Sequence, residues 1–144
     1  MKPEELFDQW LEQAVQRERQ VDGRGVHLTV AELLVGHSRG RLDFGGSEFQ
    51  PAPTHPIEPS ERKPPDKFAW WRLDPGTYVV RFNERLKPGA PPALLVANEQ
   101  LLSCGCTLAP TVCGPGEIRS VLTVPSWGAN IKQNARLALL RPLA

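Results

Sequence analysis

Hydrophobic positions change their period twice along this chain. Leu6, Phe7, Trp10, Leu11, Ala14 and Val15 recur at spacings of three and four, with Asp8, Gln9, Glu12, Gln13 and Gln16 opposite. That spacing predicts an amphipathic helix over 4–19. Pro3 suits its first position, and Glu4 and Glu5 suit its positive N-terminal end. The stripe is expected to pack on the chain's own body rather than on a neighbouring subunit. Gly23 and Gly25 end the pattern, and Val26-His27-Leu28-Thr29-Val30 reads as a short extended segment. Residues 45–67 have no periodicity and carry Pro51, Pro53, Pro56, Pro59, Pro64 and Pro65. Such a run forms neither a helix interior nor a central strand, so it reads as a surface loop. Its Pro-x-x-Pro spacings also occur in plain connections.

From Phe68 onward the period is two. Tyr78, Val80 and Phe82 point one way and Thr77, Val79, Arg81 and Asn83 the other. Further strands are expected at 93–96, 107–112, 118–124 and 135–140, separated by Gly and Pro turns. Short strands at even spacing predict a mainly β sandwich, barrel or jelly roll. The whole reads as a single domain over 1–144, with the helix at 4–19, the Pro-rich loop at 45–67 and a β core at 68–143.

Composition narrows the function classes. A net charge of +1 with scattered Lys and Arg gives no field for nucleic acid, so no nucleic-acid partner is expected. No apolar run reaches the ~20 residues of a membrane helix, and no membrane partner is expected. Met1-Lys2-Pro3-Glu4-Glu5 lacks the basic and apolar start of a secretory signal, which makes a cytoplasmic protein the expectation. Cys104, Cys106 and Cys113 are odd in number and lie far from His27, His37 and His55, so core thiols are expected and no metal site.

Several phrases carry a resemblance. They are Leu73-Asp74-Pro75-Gly76-Thr77-Tyr78 leading to Asn83-Glu84, then Ala97 to Gly105, then Cys113-Gly114-Pro115-Gly116, then Asn134 to Leu140. In order and spacing the chain resembles the dUTPase and dCTP deaminase family. The earlier Gly25-Val26-His27-Leu28-Thr29-Val30 is similar to a Gly-Val-Asp-Leu-Thr-Val segment of that family. The resemblance implies a dUTPase-like distorted β jelly roll of the β-clip type, to which the periodicity adds an N-terminal α-helix. It also implies a homotrimer with sites at subunit junctions, a deoxyribonucleoside triphosphate as ligand, and Mg²⁺ only if the chain is active.

Where the family places its chemistry, this sequence differs. Asn98 stands at the position of the Arg that grips phosphate, and Glu99 and Gln100 replace two serines. Ser103 stands where a second Arg is common in the deaminases. Gly114 replaces the Asp of the Asp-Pro-Gly turn, keeping Pro115 and Gly116. Thr123 or Val124 falls at the deaminase Glu, and Leu139 at a closing Gln. Asn98, Glu99, Gln100, Gly114, Pro115 and Gly116 are therefore the substrate-binding positions in degenerate form. His27 in place of an Asp reads as a structural substitute, with no carboxylate nearby in sequence to orient it. Glu84, Glu99 and Glu117 are the carboxylates available as base or metal ligand, and Arg81, Arg85, Arg119 and Lys132 the cations. Glu99 with Arg119 is the candidate for a rearranged catalytic pair. The expectation is a catalytically degenerate relative that keeps its scaffold for nucleotide binding or a structural or regulatory role. The alternative is an active dUTP diphosphatase or dCTP deaminase with a rearranged site.

Overall fold

The computed structural model describes residues 1–60 and 63–143. Of the expected loop at 45–67, Glu61 and Arg62 lie outside the described residues, as does Ala144 of the expected domain. Two long antiparallel strands set the frame. In β6 (Gly76–Leu86), Tyr78, Val80, Phe82, Glu84 and Leu86 are buried and alternate with more exposed residues, as the period of two predicts. β10 (Gly116–Val124) pairs with it and buries Ile118, Ser120, Leu122 and Val124. β3 (Gly25–Gly36) lies on the other side of β6 and extends well beyond the segment expected at 26–30. Its first six residues are all buried, because α1 (Pro3–Trp10) and α2 (Arg17–Gln20) also lie against it.

The sheet continues from β3 to β12 (Arg136–Pro142), then β7 (Ala93–Ala97) and β9 (Thr111–Cys113). Its opposite edge is β8 (Thr107–Leu108), beside β10. Only Ala109 and Pro110 separate β8 from β9, so the two edges of the sheet return to one another. The Ala109 N–H donates to the Val121 carbonyl at 2.9 Å, and the Ser120 hydroxyl donates to the Ala109 carbonyl at 2.8 Å. This curled antiparallel sheet with its N-terminal helix is the mainly β jelly roll that the resemblance implies. The expected strand at 107–112 is divided because Pro110 cannot donate to a ladder.

The N-terminal helix and several short strands depart from the sequence reading. The helix expected over 4–19 stops at Trp10. Leu11 and Glu12 form β1 (Leu11–Glu12), which pairs with Leu86 and Arg85 of β6, and Gln13 takes φ 65°. The hydrophobic stripe still buries Leu6, Phe7 and Leu11 in the chain's own core, but Val15 stays half exposed. Competition between helix propensity and a free sheet edge is won by the edge, since pairing satisfies backbone groups and buries Leu11 together. Three further strand pairs were not expected. β2 (Val21–Asp22) forms a hairpin with β3, and β4 (Thr54–Pro56) joins the far end of β3 within the Pro-rich loop. β5 (Trp70–Leu73) pairs with β11 (Ala129–Lys132) as a separate ribbon.

One buried group organises the centre. Glu84 is fully buried, and every side chain or backbone group it meets is a donor. Thr29 gives its N–H at 2.8 Å and its hydroxyl at 2.5 Å, and Gln20 gives Nε2 at 2.8 Å. The Gln20 carbonyl in turn accepts from the N–H groups of Val15 and Gln16 at 2.9 and 2.8 Å. Asn83 donates to the Thr29 hydroxyl at 2.9 Å and to the Asn134 carbonyl oxygen at 2.8 Å. Glu84 is thus committed to the fold and is not available as a base or a metal ligand. Burial pushes its carboxyl above the usual range, and the donors from Thr29 and Gln20 only partly offset this.

Glu84→Gln would turn an amide N–H₂ toward one of these donors and is expected to cost about 1–3 kcal/mol. Because the folded carboxyl holds its proton more tightly than the unfolded one, Glu84 contributes most stability below its ordinary range and less as pH rises through the raised value. Gln does not titrate, so the deficit in urea unfolding should be largest near about pH 4 and narrow toward about pH 7. A deficit that widens with pH would contradict this account.

Candidate functional site

The residues at the altered phosphate position belong to a short helix, α3 (Glu99–Ser103), which follows β7 directly. Asn98 is its N-cap and is turned inward, 1% exposed. Its Oδ1 accepts the Leu101 N–H at 2.9 Å, and its Nδ2 donates to the Arg136 carbonyl at 2.8 Å. Its backbone N–H donates to the Leu137 carbonyl at 3.0 Å. Both polar ends of the side chain are therefore used in joining α3 to β12. Asn is among the preferred caps because its short amide reaches the third N–H of the helix.

Behind Asn98 stands His27, also buried, with Nδ1 3.5 Å from Asn98 Nδ2. His27 Nε2 lies 2.8 Å from Asp22 Oδ2. The sequence reading found no carboxylate to orient His27, and the β2–β3 hairpin corrects it by folding Asp22 back over the ring. The turn residues Asp22-Gly23-Arg24-Gly25 were the available signal. Burial works against the charge on Asp22, but the Arg24 N–H and the His27 ring outweigh it and hold the carboxyl below its usual range. The Asp22–His27–Asn98 row ends on the helix cap. Its geometry supports the structural reading of His27 as a hydrogen-bonding substitute.

Glu99 and Gln100 are exposed, and Glu99 forms an ion pair with Arg24. Arg119 lies elsewhere, on the outer face of β10, with Nε 2.7 Å from Glu117 Oε2. Arg81 reaches Glu117 at 3.7 Å and Glu32 at 2.8 Å, making a ladder of alternating charge across β3, β6 and β10. Arg119 holds Glu117 below the usual carboxylate range against the effect of partial burial, with Arg81 and Arg85 adding to it. Glu99 and Arg119 thus have different partners on different elements, and no contact joins them. Mg²⁺ does not fit this donor set. Glu84 is enclosed by donors, Glu117 is taken by arginines and Glu99 by Arg24. Among the described residues no group of three His, Cys, Asp or Glu gathers as a metal cage. Cys106 and Cys113 are buried thiols pushed up by that burial, while Cys104 is exposed.

Gly114, Pro115 and Gly116 form the turn between β9 and β10, with Gly116 at φ 102°. Ala93 at the start of β7 pairs with Cys113, whereas Asn98 follows the end of β7 at Ala97. The two groups of positions that the resemblance assigns to substrate are therefore at opposite ends of one strand, roughly 13 Å or more apart at the usual rise per residue. One chain does not bring them together.

A groove of about 290 Å³ opens beside α3. Leu101, Cys104, Ile131 and Leu137 line it, Trp70 walls it, and Gln100, Lys132 and Arg136 stand at its polar margin. Lys132 Nζ lies 5.5 Å from the centre of the Trp70 ring and 3.6 Å from Asp66. Sequence reading missed this groove because its wall comes from the β5–β11 ribbon, which has too few residues for a periodic signal. Beside it, Gly105 at φ 83° allows Trp127 to lie close, since a Cβ there would meet the indole at 2.4 Å.

No family model matches the chain. It is 33% identical over 135 residues to a probable deoxyuridine 5'-triphosphate nucleotidohydrolase of Methanosarcina mazei, covering 90% of this chain and 75% of that protein. The Methanosarcina acetivorans protein of the same name gives the same figures. One from Methanococcoides burtonii is 30% identical over 90% of this chain and 76% of its own length.

If Asn98 is a cap, restoring a cation there should damage the fold. Asn98→Arg is expected to lose about 1–3 kcal/mol in denaturant titration, because a side chain that must turn to solvent leaves the Leu101 N–H and the Arg136 carbonyl without their two bonds to Asn98. An Asn98→Arg protein as stable as the parent would mean that the side chain faces solvent.

Proposed function

This chain belongs to the deoxyuridine 5'-triphosphate nucleotidohydrolase (dUTPase) family, and from that premise we propose that it keeps the family scaffold without turning over nucleotide. One observation carries the reading. The residue at the phosphate-gripping position, Asn98, is buried and spends both ends of its amide inside the fold. At the mouth of α3 the exposed side chain is the Glu99 carboxylate, and the guanidinium beside it, that of Arg24, is committed to that carboxylate. Hydrolysis needs positive groups placed where charge develops and a base positioned on water. Glu84 is enclosed and Glu117 is neutralised by arginines, so neither supplies that base.

The role we propose is a cytoplasmic nucleotide-binding or regulatory scaffold that assembles as a homotrimer. The separation of Asn98–Gln100 from Gly114–Gly116 along β7 supports assembly, since only a neighbouring copy can bring such halves side by side. The second reading, an active dUTP diphosphatase, draws on the relatives' name and on their match over 90% of the chain.

Turnover by purified protein separates the two. With dUTP, dCTP, dTTP and UTP, with and without Mg²⁺, neither diphosphate nor ammonia is expected above the uncatalysed background. Light scattering on the same sample is expected to give three times the 16.0 kDa chain mass. Sustained release of diphosphate from dUTP would establish the enzyme reading and end the degenerate one.

A further inference from the structure

Between β3 and β4 the chain makes an arm over residues 37–53, and its two limbs leave the sheet as a paired stem. Val35 faces His55 and Gly36 faces Thr54, and the His37 N–H donates to the Pro53 carbonyl at 3.2 Å. Farther out, Arg41 and Gln50 exchange both backbone hydrogen bonds, at 2.7 and 3.0 Å. Gly40 lets the limbs close, since a Cβ there would stand 2.8 Å from the Ala52 nitrogen. At the inner end Val35 and Ile57 pack against the core. The stem is thus fixed from both ends.

On this stem His37 and His55 share a face. Side chains alternate along each limb, so position 37 lies diagonally across from position 55, a spacing that ring side chains bridge. Both residues are exposed, and their ring centres stand 5.4 Å apart with the rings tilted by 42°. A zinc ion bound at about 2.0–2.1 Å from an imidazole nitrogen stands roughly 3.2 Å from the centre of that ring. Two rings on one ion are then about 5.2 Å apart at a tetrahedral angle and about 4.5 Å apart at a right angle. The observed 5.4 Å matches the tetrahedral arrangement. Turning an exposed ring about its Cβ–Cγ bond is soft, keeps the ring centre nearly in place and aims either nitrogen into the gap. The cations of the arm do not have to sit over the rings, since Arg41 pairs with Glu48 at 3.7 Å and Arg39 is exposed.

We propose that His37 and His55 chelate one divalent ion of the zinc class, with water completing its tetrahedron. Imidazole nitrogen suits Zn²⁺, whereas Mg²⁺ calls for oxygen donors, so the site distinguishes the two. It uses none of the positions at 98–100 or 114–116 and stands apart from the nucleotide reading. An ion held there ties β3 to β4 across the root of the arm, adding a clamp where the two strands leave the sheet. Sequence reading passed over the pair because the Pro-rich run separates the two histidines, and only the β3–β4 pairing brings them to one face.

The chain's other histidine, His27, is buried against Asp22 and serves as an internal reference. Cys104 is an exposed thiol and a rival ligand, so the full chain is tested as Cys104→Ser. Titration with ZnCl₂ is expected to give one ion per chain by calorimetry. In NMR spectra it should shift the ring resonances of His37 and His55 together and leave those of His27 in place, and MgCl₂ should do neither. His37→Gln and His55→Gln are each expected to weaken Zn²⁺ binding at least about tenfold, no less than the loss of an outer-sphere partner costs a metal site. Both side chains are exposed, so the circular dichroism spectrum of each variant should match that of the parent. Movement of one ring alone, or undiminished Zn²⁺ binding in either variant, would show that the rings do not chelate and would overturn the proposal. Absence of any response to ZnCl₂ would overturn it as well, leaving the two rings as an aromatic pair.

Discussion

The structure depends on a carboxylate that has only donors around it. Glu84 sits where β6 meets the buried half of β3, and through Thr29 and Gln20 it adds α2 to that strand pair. Gln20 carries the N-terminal segment, because its carbonyl is the acceptor for Val15 and Gln16. Asn83, next in the strand, ties Thr29 to Asn134 and so to the turn before β12. Removing the acceptor would leave three donors, the Thr29 N–H and hydroxyl and the Gln20 amide, without their shared partner. The rest of the sheet supplies area, but this cluster supplies register, since a one-residue slip of β3 against β6 would turn Thr29 away from it.

The same logic explains how a ligand-facing position becomes a fold-facing one. An Arg is too long and too charged to be buried at the start of α3, so it has to point into solvent or toward an anion. Asn is short enough to turn back on its own helix, and there it finds the Leu101 N–H and the Arg136 carbonyl. His27 in place of Asp fits this arrangement. The imidazole fills the space behind Asn98 and takes its partner from Asp22 across a hairpin, so the negative charge moves outward by one residue's length. His27 and Asn98 thus belong to one packed row of polar side chains.

The β core was legible because alternation survives wherever one face is buried and the other is wet, as in β6 and β10. The curled topology was not legible from alternation. It came from the resemblance, since the return of β8 toward β9 depends on contacts far apart in sequence. The N-terminal helix was read too long because Leu11 satisfies a helical stripe and a strand equally, and only the free edge of β6 decides between them. For the site, the sequence identified which positions had changed, while the inward turn of Asn98 was visible only in three dimensions. Asn83-Glu84 was recognised as a phrase, yet its meaning as a buried acceptor cluster required seeing Thr29 and Gln20 beside it. The groove wall at Trp70 and Lys132 was hidden because a four-residue ribbon leaves no period to detect.

The inward turn of Asn98 and the exposed apolar side chains of residues 42–49 act in opposite directions on a single chain. Converting the phosphate position into a cap strengthens a single chain, since Asn98 adds bonds within the monomer. Keeping Leu42, Phe44 and Phe49 on a projecting arm does the reverse. Exposed apolar area of that kind favours non-specific association, and a lone monomer gains nothing from it. An arm stiffened by its own backbone pairing loses little entropy on docking, which is the property of a surface organised in advance for a partner.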